Sequence, residues 1–393
     1  PPGHISLWFS YGGRNRKVLL ELVKQFHREQ HAVRVVPTFQ GDYFEGLTKL
    51  RTGLYVEQAP TVTHVIGEAL PYLAEAQVLE PLEDIGSEVI DDLVPALSQA
   101  GTFVGGGDRP LVGLPFNRST PVAYYNKSIF RQLGLRPPKT WAELRSAARS
   151  ACLRDGERTT RFGFSCPVDW WFWVAMVGQA GGEIVTPNGE VTLGAQAGVR
   201  ALRLWQTMVH DERSMKPPPG RDYNAWEAAN NDFLAGRVAM IWTSTAFLRY
   251  LEDNAPFAVG TAPLPSQQRA AVPTGGTFFV VPKGARPEER TAAMTFLRWM
   301  MAPAQANAWA TRTGYMTVSK RGRAKLAQDG FFAQHPNDRV TVDQLKHARP
   351  WPWATQLLRI QREAVQPRLE AAVLARRDAA TVLDEARKSL EGV

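Results

Sequence analysis

Cysteine is nearly absent from the sequence, which has only Cys152 and Cys166 in 393 residues. So few cysteines exclude a fold that depends on a disulfide framework. The two residues are close enough in sequence for one bridge in an oxidising compartment, and two buried free thiols are the equal alternative. Neither lies in a Cys-x-x-Cys motif or beside a histidine cluster, so the pair indicates no metal site and no redox role.

Long apolar runs are also lacking. No stretch reaches the roughly 18 consecutive apolar residues that a membrane-spanning helix requires. The most aromatic segment, DWWFWVAM (169–176), follows an aspartate and ends at GQAGGE (178–183). We therefore expect its tryptophans to fill a core or to form a surface for a ligand.

Catalytic motifs are missing from the sequence. There is no Gly-x-Ser-x-Gly, no His-Glu-x-x-His, no Walker A sequence and no Gly-x-Gly-x-x-Gly opening a helix. The histidines are scattered and none pairs with another at metal-ligand spacing, so we expect neither a cofactor nor a metal. One enzymatic alternative stays open: a carbohydrate-active hydrolase would need only two carboxylates. Its candidates are Asp42, Glu45, Glu68 and Asp169.

The net charge of +8 would permit nucleic acid as a partner, but no pattern supports it. Basic residues are dispersed apart from KRGR (320–323) and ARR (375–377), which are typical of a solvated surface. The sequence has no helix-turn-helix, zinc-finger or RNA-binding aromatic motif. With 44% hydrophobic and 21% charged residues, the chain has the composition of an ordinary globular protein.

Strands and helices alternate in the first part of the chain. Apolar segments at 4–10, 32–39 and 61–67 predict strands, and helical spacing of apolar residues predicts helices over 14–30 and 43–53. This alternation predicts an α/β fold with a mostly parallel sheet. The length of the chain favours two domains.

A different pattern follows at 110–130, where two extended pieces flank the polar NRST and prolines lie on both sides. This pattern predicts a strand that passes from one domain into the other. Thr140 and Glu143 then form the sequence pattern of a capping box for a helix over 140–151. The remaining predicted elements are helices over 194–209, 224–235, 287–301 and 303–313, further helices within 352–393, and strands over 238–244, 257–265 and 275–284.

The segment LPFNRSTPVAYYNKSIFRQLGLRPPKTWAEL (114–144) resembles the hinge-crossing region of solute-binding proteins of ABC importers for carbohydrates. Within that class the Pro-Phe-Asn-x-Ser-Thr-Pro and Thr-Gly-Tyr motifs resemble those of the glycerol-3-phosphate-binding family. The likeness extends, in the same order, to segments 36–53, 275–284 and 313–320, and spans nearly the whole chain.

The resemblance implies a two-lobed α/β periplasmic-binding-protein fold like that of maltose-binding protein, with three crossovers and a ligand cleft between the lobes. We expect an N-terminal lobe of residues 1–117 plus 268–313 and a C-terminal lobe of residues 118–267 plus 314–393. Closure about the hinge would present the ligand to the permease subunits, which work with a cytoplasmic ATPase. The expected location is periplasmic or extracytoplasmic, as a monomer that is lipid-anchored in its full-length precursor.

The resemblance also implies ligand-binding residues, carried over by matching position. They are Tyr43 with its neighbour Asp42, Ser119, Ser244, Gly276 and Tyr315. The acidic family contact after the third strand aligns with Gly67, so Glu68 is the neighbouring candidate. The family arginine that holds phosphate aligns with Ala354, and Arg349 and Arg359 flank that position out of register.

The missing arginine disfavours phosphate, because a buried phosphate needs a cationic or multi-donor partner. Tryptophan faces suit the CH-rich faces of a sugar ring. We therefore expect Trp351 and one or two of Trp170, Trp171 and Trp173 to contact a ligand, with Asp169 accepting hydrogen bonds from it. Trp299 and Trp309, on long helices, are expected to pack in the core.

The sequence thus predicts a binding protein that delivers a sugar, amino sugar or short oligosaccharide to an ABC permease, and not an enzyme. The alternatives are the same fold binding glycerol 3-phosphate or a glycerophosphodiester, with Arg349 or Arg359 in place of the missing arginine, and the hydrolase.

Overall fold

The structure, a computed structural model, describes residues 3–102 and 110–391. Its strands, in chain order, are β1 (Gly3–Phe9), β2 (Val33–Phe39), β3 (Val62–Ile66), β4 (Leu114–Ser119), β5 (Pro121–Asn126), β6 (Leu153–Asp155), β7 (Arg158–Ser165), β8 (Met215–Lys216), β9 (Val238–Ser244), β10 (Val259–Ala262), β11 (Val272–Pro273), β12 (Gly275–Val280) and β13 (Ala348–Arg349).

The α-helices, in chain order, are α1 (Gly13–Glu29), α2 (Tyr43–Tyr55), α3 (Leu70–Glu75), α4 (Ser87–Asp92), α5 (Pro95–Ser98), α6 (Lys127–Gln132), α7 (Trp141–Ala151), α8 (Trp170–Gln179), α9 (Gln196–Gln206), α10 (Tyr223–Leu234), α11 (Leu248–Asn254), α12 (Pro287–Met301), α13 (Pro303–Thr313), α14 (Lys320–Gln328), α15 (Phe331–Gln334), α16 (Pro336–Gln344), α17 (Leu357–Arg359), α18 (Gln366–Val373) and α19 (Ala379–Lys388). Within the described ranges, no helix is both long enough and apolar enough to cross a membrane.

The chain divides into two units and crosses between them three times. The first unit comprises the residues up to Ser119 and Gly275–Gln334, and the second comprises Thr120–Thr274 and the residues from His335 onward. The first crossing follows residue 119 and the second follows residue 274, against expected positions after residues 117 and 267. The third lies later than predicted, after residue 334 instead of 313.

Contacts of the 314–334 segment explain the late third crossing. The Met316 N–H donates to the Arg118 carbonyl over 2.9 Å. Asn307 of α13 donates to the Gly322 carbonyl over 2.9 Å, which holds α14 against the helix before it. Residues 314–334 therefore belong to the first unit, a tertiary preference that no local sequence pattern shows.

The first unit is built on a five-stranded sheet in the order β2-β1-β3-β12-β4. β2 and β3 run parallel to β1, and β12 runs antiparallel to both β3 and β4. Four strands therefore point the same way, which confirms the predicted mostly parallel sheet. Their carboxyl ends lie at one edge, where β12 begins because Gly275 pairs with Ser119.

Local sequence explains the helices that flank this sheet. The predicted apolar face of α1 is buried through Val18, Leu22 and Phe26, among others. α2 begins with a complete capping box, in which Asp42 accepts from the Glu45 N–H and the Glu45 side chain accepts from the Asp42 N–H.

The second unit has a sheet in the order β10-β5-β9-β7-β6, with β8 paired to β7. β7, β8 and β9 are mutually parallel, so their carboxyl ends lie at one edge. Its core contains the fully buried Trp205 and Trp242. The predicted helix over 140–151 is α7, and Thr140 caps it, but Glu143 accepts from the Lys139 N–H, so the box is only partly formed.

The cysteine alternatives are resolved in favour of free thiols. Cys166 is buried in the core of the second unit, and Cys152 is partly exposed. No disulfide joins them.

Candidate functional site

In the first unit, the candidate residues lie at the carboxyl edge of the parallel strands. Tyr43 begins α2 after β2, Glu68 follows β3, Ser119 ends β4 and Gly276 lies at the start of β12. Loops at this edge of an α/β sheet are the usual place for a ligand site. The topology therefore brings together residues that are far apart in sequence.

Asn117 links two of the predicted tyrosines. Its amide nitrogen donates to the Tyr43 hydroxyl over 2.8 Å and to the Tyr315 hydroxyl over 3.3 Å. A hydrogen bond between the two hydroxyls also influences the pKa of each tyrosine. The Asn117 oxygen accepts from the N–H and the hydroxyl of Thr277. Asn117 was missed as a site residue, although it stands in the Pro-Phe-Asn motif that carries the resemblance.

Stacked aromatic rings hold Tyr315 in place. Its ring lies parallel to that of Trp309 at a centroid distance of 5.5 Å. Trp309 in turn stacks on Phe116 at 4.6 Å and is buried, as predicted for a packing residue. Burial raises the pKa of Tyr315 and that of Tyr43, so both hydroxyls stay protonated at neutral pH.

Two further buried polar side chains, His64 and Tyr11, adjoin these tyrosines, and no sequence pattern predicts them. His64 accepts from the Ser10 N–H through Nε2, and burial lowers its pKa to about 3, so the ring is neutral. Its Nδ1 and the Tyr11 hydroxyl have no hydrogen-bond partner among the described residues. The rings of Tyr11 and His64 lie 5.0 Å apart.

Gly276 is required by close backbone approach. It has φ of +94°, and a Cβ there would lie 1.7 Å from the Asn117 carbonyl oxygen. No other residue fits this position without strain. Asp42 also has a structural role, because its Oδ1 accepts from the Phe44 and Glu45 N–H groups over 2.8 Å.

In the second unit, Asp169 and Ser244 follow the carboxyl ends of the parallel strands β7 and β9. Ser244 caps the turn after β9, its hydroxyl accepting from the Ala246 N–H over 3.1 Å. Asp169 caps α8 and accepts from the Trp171 N–H over 2.9 Å. Both side chains therefore shape the turns that begin these helices.

The Asp169 carboxylate lies in unusual electrostatic surroundings. Burial raises its pKa to about 6, and Asp222 adds to the rise. The Trp171 N–H, a hydrogen bond from Trp226 and the charge of Arg362 act in the opposite direction. Trp226 lies on α10, far from Asp169 in sequence, and was not predicted.

The three tryptophans of α8 differ in their surroundings. Trp173 is fully buried, and its indole N–H donates to the Gly198 carbonyl over 3.2 Å. Trp170 is also buried, between Trp173 and the ring of Trp351, on which it stacks at 5.9 Å. Trp173 is therefore a core residue, because its ring and its only donor are satisfied internally, and the expectation that one or two of the three tryptophans contact a ligand stays a prediction.

Trp171 and Trp351 converge on a single acceptor. Their indole N–H groups donate to the Thr274 carbonyl over 3.2 Å and 2.7 Å. Trp171 stacks on Trp226 at 5.5 Å with 30° between the planes. Trp226 and Trp351 are both partly exposed. We call these three rings the indole cluster; it comprises the buried Trp171 and the partly exposed Trp226 and Trp351.

Each arginine around the position of the missing family arginine has an acidic partner. Arg349 lies 3.5 Å from Glu183, and Arg359 lies 3.4 Å from Glu363. A third arginine, which the sequence did not suggest, is more firmly held: Arg362 donates to both oxygens of Asp222 over 2.6 Å and 3.0 Å. Ala354 itself supplies no cation.

Asp222 has a strained backbone. Its φ of 53° and ψ of −134° are unfavourable for a residue with a side chain. Arg362 lies in a π-helical turn, Ile360–Val365. Strained residues and π-helical turns are both enriched at functional sites. The Asp222–Arg362 pair therefore adds to the candidate residues around Asp169.

Most of the chain matches a known protein family. A model of the bacterial extracellular solute-binding protein family matches residues 21–337. The sn-glycerol-3-phosphate-binding periplasmic protein UgpB of Yersinia pestis is 24% identical, over 98% of this chain and 90% of that protein.

Solved structures show the same fold. UgpB of Mycobacterium tuberculosis, in complex with glycerophosphocholine, superposes with a TM-score of 0.86 at 26% identity, covering 100% of this chain and 98% of that one. The GacH receptor of Streptomyces glaucescens, solved unliganded and with acarbose, also has a TM-score of 0.86, at 18% identity, covering 99% and 97% of the two chains.

Proposed function

The chain belongs to the bacterial extracellular solute-binding protein family, and from this premise we propose that it captures a carbohydrate as the substrate-binding component of an ABC importer. A neutral sugar, an amino sugar or a short oligosaccharide is the expected ligand. Delivery to the permease after hinge closure, a monomeric state and a lipid anchor stay predictions from the resemblance.

The observation that carries the proposal is the indole cluster beside Asp169. Faces of Trp171, Trp226 and Trp351 suit the apolar face of a pyranose ring, and a carboxylate suits its hydroxyls. In the first unit, Tyr43 and Tyr315 add hydroxyl groups that donate and accept. Such a mixture of aromatic faces and neutral polar groups favours an uncharged polyol.

The charges of the second unit support the same ligand class. Arg349, Arg359 and Arg362 each face a carboxylate. A phosphate would have to displace one of those carboxylates or be buried without a cation, and either is costly.

The alternative ligand is glycerol 3-phosphate or a glycerophosphodiester, and the names of the relatives favour it. The Yersinia protein is named for sn-glycerol 3-phosphate, and the Mycobacterium structure holds glycerophosphocholine. Under this alternative Arg349 would turn to the phosphate, since its contact with Glu183 is exposed and long.

A thermal-shift and tryptophan-fluorescence screen tests the proposal. The panel comprises maltose, maltotriose, glucosamine, sn-glycerol 3-phosphate and glycerophosphocholine. A ligand at a concentration of about 100 times its Kd raises the free energy of unfolding by about 2.7 kcal/mol and raises the melting temperature. We expect a response to at least one sugar and none to the two phosphates. A response confined to the phosphates would contradict the proposal.

Two controls sharpen this screen. Arg349→Ala should leave a sugar response unchanged but should abolish a phosphate response, and Arg339→Ala, which removes an exposed arginine paired with Asp343, is its matched control. Recovery of intact maltotriose after incubation would exclude the hydrolase, whereas released glucose would support it.

A further inference from the structure

Arg118 is a buried cation beside the candidate residues of the first unit. It lies in β4 between Asn117 and Ser119 and is only 2% exposed. Its guanidinium carbon is 4.4 Å from the centroid of the Phe278 ring. Its Nε donates to the Leu97 carbonyl over 3.1 Å. The side chain is therefore held from two sides within the first unit.

The guanidinium also lies against the turn that carries Glu68. A Cβ built on Gly67 would be 4.0 Å from Nη1 of Arg118. Burial lowers the pKa of Arg118 to about 10, and the Glu68 carboxylate acts most strongly against that decrease, followed by Tyr43. Arg118 is thus charged at neutral pH, with Glu68 as its principal counter-charge.

The pair matters because its members differ in exposure. Arg118 is buried, whereas Glu68 is partly exposed at the carboxyl edge of the sheet. A buried charge that loses its partner is strongly unfavourable. Arg118 therefore favours a position of the Glu68 carboxylate near the guanidinium, and Glu68 reduces the positive potential that Arg118 would otherwise create beside Tyr43.

We infer that Arg118 is a positioning residue for Glu68, and that the two together make the ligand-binding edge of the first unit electrically neutral and select uncharged polyols over phosphorylated ones. The inference rests on the proposed function, since it assumes that a ligand contacts this edge. Glu68 acts as an acceptor whose charge is already compensated, so a second anion gains nothing from the buried arginine.

The selectivity experiment uses the full chain with maltose and sn-glycerol 3-phosphate as probes. Glu68→Gln uncovers the charge of Arg118, so the ratio of Kd for sn-glycerol 3-phosphate to Kd for maltose should fall at least tenfold. Arg118→Lys keeps the charge compensated, and the ratio should stay as in the wild type. Glu21→Gln, which removes the same charge from an exposed pair with Arg312, is the matched control and should leave the ratio unchanged.

An unchanged ratio in Glu68→Gln, or an equal fall in Glu21→Gln, would overturn the inference. A general loss of both affinities without a change in their ratio would indicate a structural role only, and would overturn it as well.

A second experiment needs no ligand. If the two residues form a charge pair, the effects of Glu68→Gln and Arg118→Met on the free energy of unfolding should be non-additive. Each single substitution leaves one charge without its partner, whereas the double substitution removes both charges. We expect the double variant to be at least tenfold more stable, in its unfolding equilibrium constant, than additivity predicts. Additive effects would show that Arg118 and Glu68 do not interact, and would overturn the inference. If Arg118→Met does not fold, Arg118→Gln completes the cycle.

Together the two experiments test the Arg118–Glu68 pair and the proposed ligand class separately. Non-additivity without binding of either probe would refute the proposed ligand class while keeping the pair. Additivity with sugar binding would refute the pair while keeping the ligand class.

Discussion

Asp169→Asn should make the protein more stable at pH 8, although it removes a candidate ligand contact. The ordinary pKa of an aspartate is 3.8, and burial raises that of Asp169 to about 6. Asparagine keeps the oxygen that caps α8, since it is as good an N-cap as aspartate. The substitution therefore removes the charge while keeping the hydrogen bond to the Trp171 N–H.

The sign follows from the two pKa values. Below about pH 3 the carboxyl is largely protonated in both the folded and the unfolded chain, so its raised pKa costs little stability. Between about pH 3 and pH 6 the carboxyl of the unfolded chain ionises first, which stabilises the unfolded chain relative to the folded one. Above pH 6 the folded chain carries the full penalty, about 3 kcal/mol for this difference in pKa. Because Asp169 is partly exposed, we expect about 1.5–3 kcal/mol.

The assay is thermal unfolding followed by far-ultraviolet circular dichroism at pH 4.5 and pH 8. At pH 8 the gain corresponds to a rise of about 3–10 °C in melting temperature for a unit of this size. At pH 4.5 it should fall to about one third of that gain, because the unfolded carboxyl is already mostly ionised there and the folded one is not. The matched control is Asp378→Asn at the N-cap of α19: hydrogen bonds from Thr381 lower the pKa of Asp378, so this variant should gain nothing at pH 8. Equal gains at both pH values, or a loss at pH 8, would show that the ionised Asp169 carboxylate does not destabilise the folded protein.

Three further predictions concern single residues. Trp173→Ala should destabilise the second unit by about 3–5 kcal/mol, as for other large core residues. Trp171→Phe should weaken sugar binding and cost less stability than Trp173→Ala, because it keeps an aromatic ring and loses only the hydrogen bond to the Thr274 carbonyl and part of the ring. Calorimetry and ligand titration of both variants check this, and the reverse pattern would contradict the placement of the two rings. Gly276→Ala should destabilise the first unit by more than about 1 kcal/mol, as measured by urea unfolding, and a neutral result would mean that β12 does not approach Asn117 so closely. Thiol labelling without reductant should show a fast Cys152 and a slow Cys166 in the folded protein and two reactive thiols after unfolding; no reactive thiol after unfolding would indicate a disulfide.

Much of the fold could be predicted because local signals are strong there. The Pro-Glu-Glu start of α12 and the apolar face of α1 specify those helices with little help from the rest of the chain. The polar NRST segment, which covers the end of β4 and the residue before β5, lies where the chain first crosses between the units. The third crossing was placed too early because its position depends on where residues 314–334 pack, which is a tertiary contact.

Some residues of the candidate site could be predicted from the sequence and others could not. Tyr43, Ser119 and Tyr315 were found because they stand in motifs with a known counterpart. Trp226 and Arg362 were missed because each reaches Asp169 from a different helix, and a single sequence carries no record of such pairings. Which of the α8 tryptophans lies in the core could not be predicted for a related reason: helical spacing separates the faces of α8 but does not say which face the core covers.

The most direct test of the central claim is a calorimetric titration of ligand-free protein with maltotriose, repeated in the presence of excess sn-glycerol 3-phosphate. We expect one binding site for maltotriose or, if the site is shorter, for maltose, with a Kd that the phosphate leaves unchanged. Tight binding of sn-glycerol 3-phosphate that displaces or replaces the sugars would contradict it.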